Sequence, residues 1–273
     1  MIRCSLHNHT NFCDGVNTPR EMTDAAYAMG CRTFGISEHS PFPYEKKAGM
    51  LLEDLDHYEQ QMQACKKAYE GRMEVLWGIE QDIFSPPLDR SYDYVIGSVH
   101  YVLHDGAYCT VDYTDKEVQR VIRDVYAGDA LALAEEYFQT VSRVADVTNC
   151  DIIGHFDLVT KFNEADRLFD TGSIRYRNAA MQALEELLSK KRIFEINSGA
   201  IARGYRKKPY PQDWILKEIR AHKGQIMLSS DAHQKENILF AFDRTAALAK
   251  SCGFETVMVY ENGAWREKPL EEA

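Results

Sequence analysis

The chain has 273 residues, 45% of them hydrophobic and 27% charged, the proportions of an ordinary globular protein with enough length to bury a core. Its net charge of −10 argues against a general nucleic-acid surface, which needs a basic face to displace counterions, but leaves room for a small phosphorylated ligand held by a few local cations. Seven scattered cysteines, with no C-x-x-C pair among them, read as reduced thiols of a cytoplasmic protein and not as a disulfide frame or a thiolate zinc site.

No stretch approaches the ~18 consecutive apolar residues of a membrane span. The opening "MIRCSLHNHT" lacks the apolar core of a secretion signal. Its first element is a strand, "IRCSL" (2–6), followed at once by His7 and His9. In extended chain residues i and i+2 share a face, so the two imidazoles aim at one point. "TPRE" (18–21) is a capping box with Pro19 at the first helical position, and Gly30 ends that helix.

The second strand, "TFGIS" (33–37), runs into His39. A helix over 51–70 carries an apolar stripe of Leu51, Leu55, Tyr58, Met62, Cys65 and Tyr69. "EVLWGI" (74–79) leads to Glu80, and "YVIGSV" (94–99) to His100. A long loop, 101–130, holds Tyr101, Asp105, Tyr108 and Asp112, acidic and aromatic candidates for contacting a cationic leaving group. Then come a helix over 131–148 and a strand "DIIG" (151–154) that delivers His155.

After a helix over 174–191, the sixth strand "IFEIN" (193–197) opens into a basic loop, "ARGYRKK" (202–208). A helix over 212–222 precedes the strand "QIMLS" (225–229), which delivers Asp231 and His233. A helix over 236–252 and a hairpin around Asn262-Gly263, with a polar tail, complete the chain. His57, His104 and His222 fall in helical or loop contexts and are expected to face solvent.

Alternating strands and helices imply a parallel sheet. Polar residues end nearly all the strands, which favours a single-domain closed barrel over residues 1–273 above an open sheet with one switch point. Strand ends converge on one face of such a barrel. Eight imidazole and carboxylate groups collected there would be a poorly satisfied cluster without metal ions. The histidine-plus-carboxylate set suits zinc, iron or manganese.

"HNHT" with Asp14, then "EH", "GIE", "SVH", "GHFD" and "SDAH" in this order, resemble the PHP (polymerase and histidinol phosphatase) metal-dependent phosphoesterases over about residues 5–235. "SEHSPFP", "GHFDLVTKF" and "EINSGAIARGYRKKPYP" resemble the histidinol-phosphate phosphatases within that superfamily. The resemblance implies a distorted (β/α)7 TIM-like barrel holding two to three ions. His7, His9, Glu80 and Asp231 would hold the first; Glu80, as a bridge, with His100 and His155 the second; Asp14, His39 and His233 the third. It also implies hydrolysis of L-histidinol phosphate to L-histidinol and phosphate, a step of histidine biosynthesis, by attack of a metal-bridging hydroxide.

Glu80, Asp231 and Arg203 are then the candidate catalytic residues. Arg203 is the first candidate for binding phosphate, since its planar fork makes paired bonds to phosphoryl oxygens; Lys161 is the second and Arg206 the third. A PHP phosphoesterase for nucleotides or another small phosphate ester, or a non-catalytic PHP module, are the alternatives. No membrane or nucleic-acid partner is expected. Many relatives carry Asp two residues before the first histidine where this chain has Ser5, a departure expected to alter how His7 is oriented.

Overall fold

The computed structural model describes residues 3–42, 44 and 48–270. In chain order its main elements are β1 (Cys4–Ser5), α1 (Pro19–Ala28), β2 (Thr33–His39), α2 (Leu55–Tyr69), β3 (Glu74–Asp82), β4 (Tyr94–Ser98), β5 (Tyr101–His104) and β6 (Ala107–Thr110). Then follow α3 (Asp115–Asp124), α4 (Ala130–Val141), α5 (Val144–Thr148), β7 (Ile152–Ile153), α6 (Ile174–Ser189), β8 (Ile193–Asn197) and α7 (Gly199–Ala202). The last are α8 (Asp213–Ala221), β9 (Gln225–Ser229), α9 (Phe242–Ser251), β10 (Thr256–Glu261) and β11 (Ala264–Pro269).

Seven strands pair in parallel in the order β1-β2-β3-β4-β7-β8-β9. The two edges meet just beyond their ends: the His9 N–H donates to the Ala232 carbonyl at 2.8 Å and the Ala232 N–H to the His7 carbonyl at 3.2 Å. The sheet is thus a nearly closed barrel, and its closing seam lies between two histidine-bearing segments.

Local chemistry accounts for the helices that pack outside. Thr18 and Glu21 cap α1 reciprocally, with Pro19 at the first position and Gly30 in the left-handed region at φ 80°. Leu55, Tyr58, Met62, Cys65 and Tyr69 are the buried stripe of α2, packed with Phe34, Val75 and Trp77 of the sheet. Inside the barrel Tyr94 forms the floor. Gly35 and Gly78 leave room for its ring, and its hydroxyl donates to the Leu6 carbonyl.

The seven barrel strands fall where the sequence puts them, except that Ile2 lies outside the described residues, as do Pro43 of "SEHSPFP" and the tail's end at 271–273. Several boundaries differ. Leu51 precedes the second helix and is 39% exposed, so it is not part of that stripe. The helix expected over 131–148 breaks after Val141 into α4 and α5, and regular helix in the stretch 236–252 starts only at Phe242. The supposed loop 101–130 folds into the β5–β6 hairpin and α3, which buries Val118 and Val121. His104 belongs to that hairpin and is half-buried, its ring 2.7 Å from Glu136; His57 and His222 are exposed.

Candidate metal centre

Each barrel strand that ends in a polar residue delivers it to the same mouth. His39 ends β2, Glu80 sits two residues before the end of β3, and His7, His100, His155 and Asp231 each follow their strand by two residues. Glu80 is buried at the centre. Its Oε2 lies 3.2 Å from His7 Nε2, 3.5 Å from His9 Nε2 and 2.7 Å from His39 Nδ1. Its Oε1 lies 2.9 Å from His155 Nε2 and 3.4 Å from His100 Nε2.

Asp231 Oδ1 is 3.2 Å from His9 Nε2, and Asp14 Oδ1 is 3.1 Å from His233 Nε2 and 3.6 Å from His39 Nε2. All nine ligand candidates are therefore in one cluster. His7, His9 and Asp231 converge on one point, as do His9, Asp14, His39 and His233, while Glu80 shares one focus with His7 and His155 and another with His39 and His100. His39 stands between Glu80 and Asp14, so it faces two of these foci.

The donor chemistry fits divalent cations. His7 Nε2, His9 Nε2, His39 Nδ1 and Glu80 Oε2 are buried without an aligned hydrogen bond, although they approach one another closely. Buried polar atoms left so are costly unless an ion takes their lone pairs. Burial, helped by His39 and His233, pushes the His9 imidazole down to about 3, which keeps it in the neutral, ligating form. Burial opposes a charge on His7, but Glu195, Glu80 and Asp231 outweigh it and hold its pKa well above the usual histidine value. Burial likewise opposes ionisation of Glu80, yet His39, His7 and His100 keep its carboxyl well below the usual range.

Sequence reasoning passed over three buried carboxylates around this cluster. Glu195 of β8 accepts from His7 Nδ1 at 2.8 Å, and from the His155 N–H at 2.6 Å. Asp82 of β3 is 3.1 Å from His100 Nδ1. Glu38 accepts from Thr10 and from the Cys13 thiol, fixing the turn after His9. Carboxylates behind ligating histidines set the tautomer and ring orientation. Their signal was present: Asp82 is two residues from Glu80, and Glu195 is the one charge in "IFEIN".

Ser5 has a different part from the one expected. It bonds to Asn8 and to the Ile238 carbonyl, and Glu195, not residue 5, orients His7.

The cations divide. A cavity of ≈ 370 Å³ opens over the cluster and is lined by Arg203 and Lys161 but not by Arg206. Arg203 is held 3.0 Å from Asp231 Oδ2 and 2.7 Å from His233 Nδ1. Arg206 turns away to Thr160 and lies over the Tyr210 ring. Of the loop candidates, Asp112 and Tyr101 line the cavity, whereas Asp105 is 96% exposed at the hairpin tip.

The family model for the PHP domain matches residues 5–199, most of the chain. The chain belongs to the PHP family. This PHP chain is 28% identical to a probable histidinol-phosphatase of Deinococcus radiodurans, the match covering 93% of this chain and 95% of that one. It is 27% identical to the histidinol-phosphatase of Bacillus subtilis, over 87% of this chain and 96% of the relative. Its fold matches the crystal structure of histidinol phosphate phosphatase from Lactococcus lactis, complexed with zinc, L-histidinol and phosphate: TM-score 0.72, 19% identity, 97% of this chain and 100% of that one. No helix among the described residues of this PHP protein is long and apolar enough to cross a membrane.

Proposed function

We propose that this chain is a metal-dependent phosphomonoesterase that hydrolyses L-histidinol phosphate to L-histidinol and phosphate. The observation that carries the reading is Glu80, whose two oxygens divide five histidines between them at the mouth of the barrel. Full-length similarity to histidinol-phosphatases supports the choice of substrate. Two or three zinc, iron or manganese ions fit the nine donors, and bound there they would supply Lewis acidity toward phosphoryl oxygens and a nucleophile at neutral pH.

The chain's own residues do the rest. Glu80 and Asp231 carry the negative charge that gathers cations, and Asp82 and Glu195 hold the His100 and His7 rings in the ligating orientation. Arg203 stands beside Asp231 and His233 where a phosphoryl group would meet the cluster, so it both steadies those side chains and offers a guanidinium to the substrate. The cavity over the cluster would admit the ester, with Asp112 and Tyr101 on its wall to face the leaving group. We take the whole chain as one domain, acting in the cytoplasm, where its seven free cysteines would stay reduced.

The test is a substrate panel with metal-reconstituted protein. Histidinol phosphate is expected to exceed p-nitrophenyl phosphate and adenosine monophosphate in kcat/KM by about tenfold or more, although p-nitrophenol is the better leaving group. A preference for the nucleotide would overturn the assignment of substrate.

A further inference from the structure

Beside the metal-ligand candidates, the cavity wall contains an ion pair, Asp112–Lys161, that the reading above does not use as a pair. Lys161 follows the turn after β7, and Asp112 follows β6. Lys161 Nζ donates to the Asp112 carbonyl at 2.7 Å and to Asp112 Oδ2 at 3.2 Å. It lies 5.5 Å from the Phe162 ring centre and 5.2 Å from that of Tyr205. The two side chains are only 12% and 19% exposed, so solvent screens the pair weakly, yet both line the cavity. Arg203, by contrast, is already engaged by two metal-ligand candidates.

A phosphate dianion entering this cavity competes with Asp112 for Lys161. If it takes the ammonium, the mostly buried Asp112 carboxylate loses its ion-pair partner, which penalises binding. A substrate that brings its own cation near the phosphate removes the penalty. An amine on the carbon next to the ester CH₂ stays close to the phosphate, so one ester can present an anion to Lys161 and a cation to Asp112 together.

We propose that the Asp112–Lys161 ion pair is exchanged partner for partner on substrate binding, the phosphate taking Lys161 and the substrate's ammonium taking Asp112, so that the site selects 2-aminoalkyl phosphates against phosphate esters of uncharged alcohols. The proposal rests on the histidinol phosphate reading, since histidinol phosphate is a member of that class. It makes the ion pair a selectivity device: a closed pair rejects an anion alone, as an unpaired buried charge would in any interface that discriminates by repulsion.

Exchange predicts a reciprocal pattern that a structural role for the pair does not. Binding of L-histidinol and of inorganic phosphate, each alone, is measured by calorimetry on the metal-loaded wild type, Asp112→Asn and Lys161→Met. Asp112→Asn should weaken histidinol by about tenfold and strengthen phosphate, because Lys161 is released. Lys161→Met should weaken phosphate and strengthen histidinol, because Asp112 is released. In turnover, the preference for histidinol phosphate over its desamino analogue should shrink in Asp112→Asn to about threefold or less.

Loss of both ligands in both variants, or any pattern other than the reciprocal one, overturns the exchange. Melting curves and metal content of the variants identify a folding failure, and the turnover ratio of the matched esters still decides for a variant weakened but folded. If the wild type neither binds histidinol nor prefers its phosphate, the function assignment fails separately. The same reciprocal pattern with ethanolamine in place of histidinol would then retain the exchange and discard only the imidazole.

Discussion

Glu195 has three donors on two oxygens: the His155 N–H at 2.6 Å and Asn197 Nδ2 at 2.9 Å on Oε1, and His7 Nδ1 at 2.8 Å on Oε2. An amide offers one oxygen and one NH₂, so in Glu195→Gln a donor must face a donor. His7 would lose the anion that fixes its Nε2 toward Glu80. The expected result is a fall in metal affinity of about 10–100-fold with the fold retained, read by titration against a chelator of known strength. Unchanged affinity would mean that the barrel backbone alone orients His7. At this scale the convergence of the candidate ligands was legible in the chain, because i and i+2 residues of a strand share a face and nearly every barrel strand is followed by a histidine or carboxylate. The Asp112–Lys161 contact was not: the two residues are 49 apart and meet only through the ends of two different strands.

Among the elements, β3 does the most to position the site, and its glycine is as informative as its glutamate. Gly78 pairs with Tyr94 across β3 and β4, and Glu80 pairs with Ile96 one step nearer the mouth. A Cβ on residue 78 would clash with the Tyr94 ring inside the barrel, so that ring must move for Gly78→Ala to fold. Overpacking of this kind costs about 1–3 kcal/mol. We expect a lower melting temperature together with weakened metal binding, since Glu80 is two residues away on the same strand; a drop in stability with normal metal affinity would show that floor and ligands are independent. The barrel strands were legible as short apolar runs closed by a polar residue. The breaks were less so. Ser142 and Arg143 separate α4 from α5 without a glycine or proline to mark the place, and the β5–β6 hairpin turns on Asp105-Gly106, a signal present in the sequence but submerged in a segment read as loop.

Over the whole molecule, closing the barrel concentrates buried charge that, apart from the Arg203–Asp231 pair, protons or metal ions must balance, and this links stability to pH. In the metal-free protein the carboxylates around His7 raise its pKa above 6.5 despite burial, and His39 and His100 are raised as well, chiefly by Glu80 acting against burial. Stability from these imidazolium ions is fully present below pH 6.5 and is lost as pH rises through their folded values. Glu80 and Asp231 are lowered, so their contribution is present above their ordinary carboxylate values of 4.5 and 3.8 and is lost as pH falls through the folded ones. The metal-free protein should therefore be most stable between these limits and weaken from pH 6 toward pH 8. Metal ions require the same imidazoles neutral, so binding releases protons and affinity rises over that interval as proton activity falls. His9, already neutral, adds nothing to this competition. Each tenfold gain in affinity adds about 1.4 kcal/mol to the stability of the loaded protein at fixed excess metal. Calorimetric melting of chelated and metal-loaded protein at pH 6 and pH 8 measures the difference directly. The gap in melting temperature should widen at the higher pH; a gap that narrows would mean that the buried cluster is balanced by its own ion pairs and that the metal ions bind elsewhere.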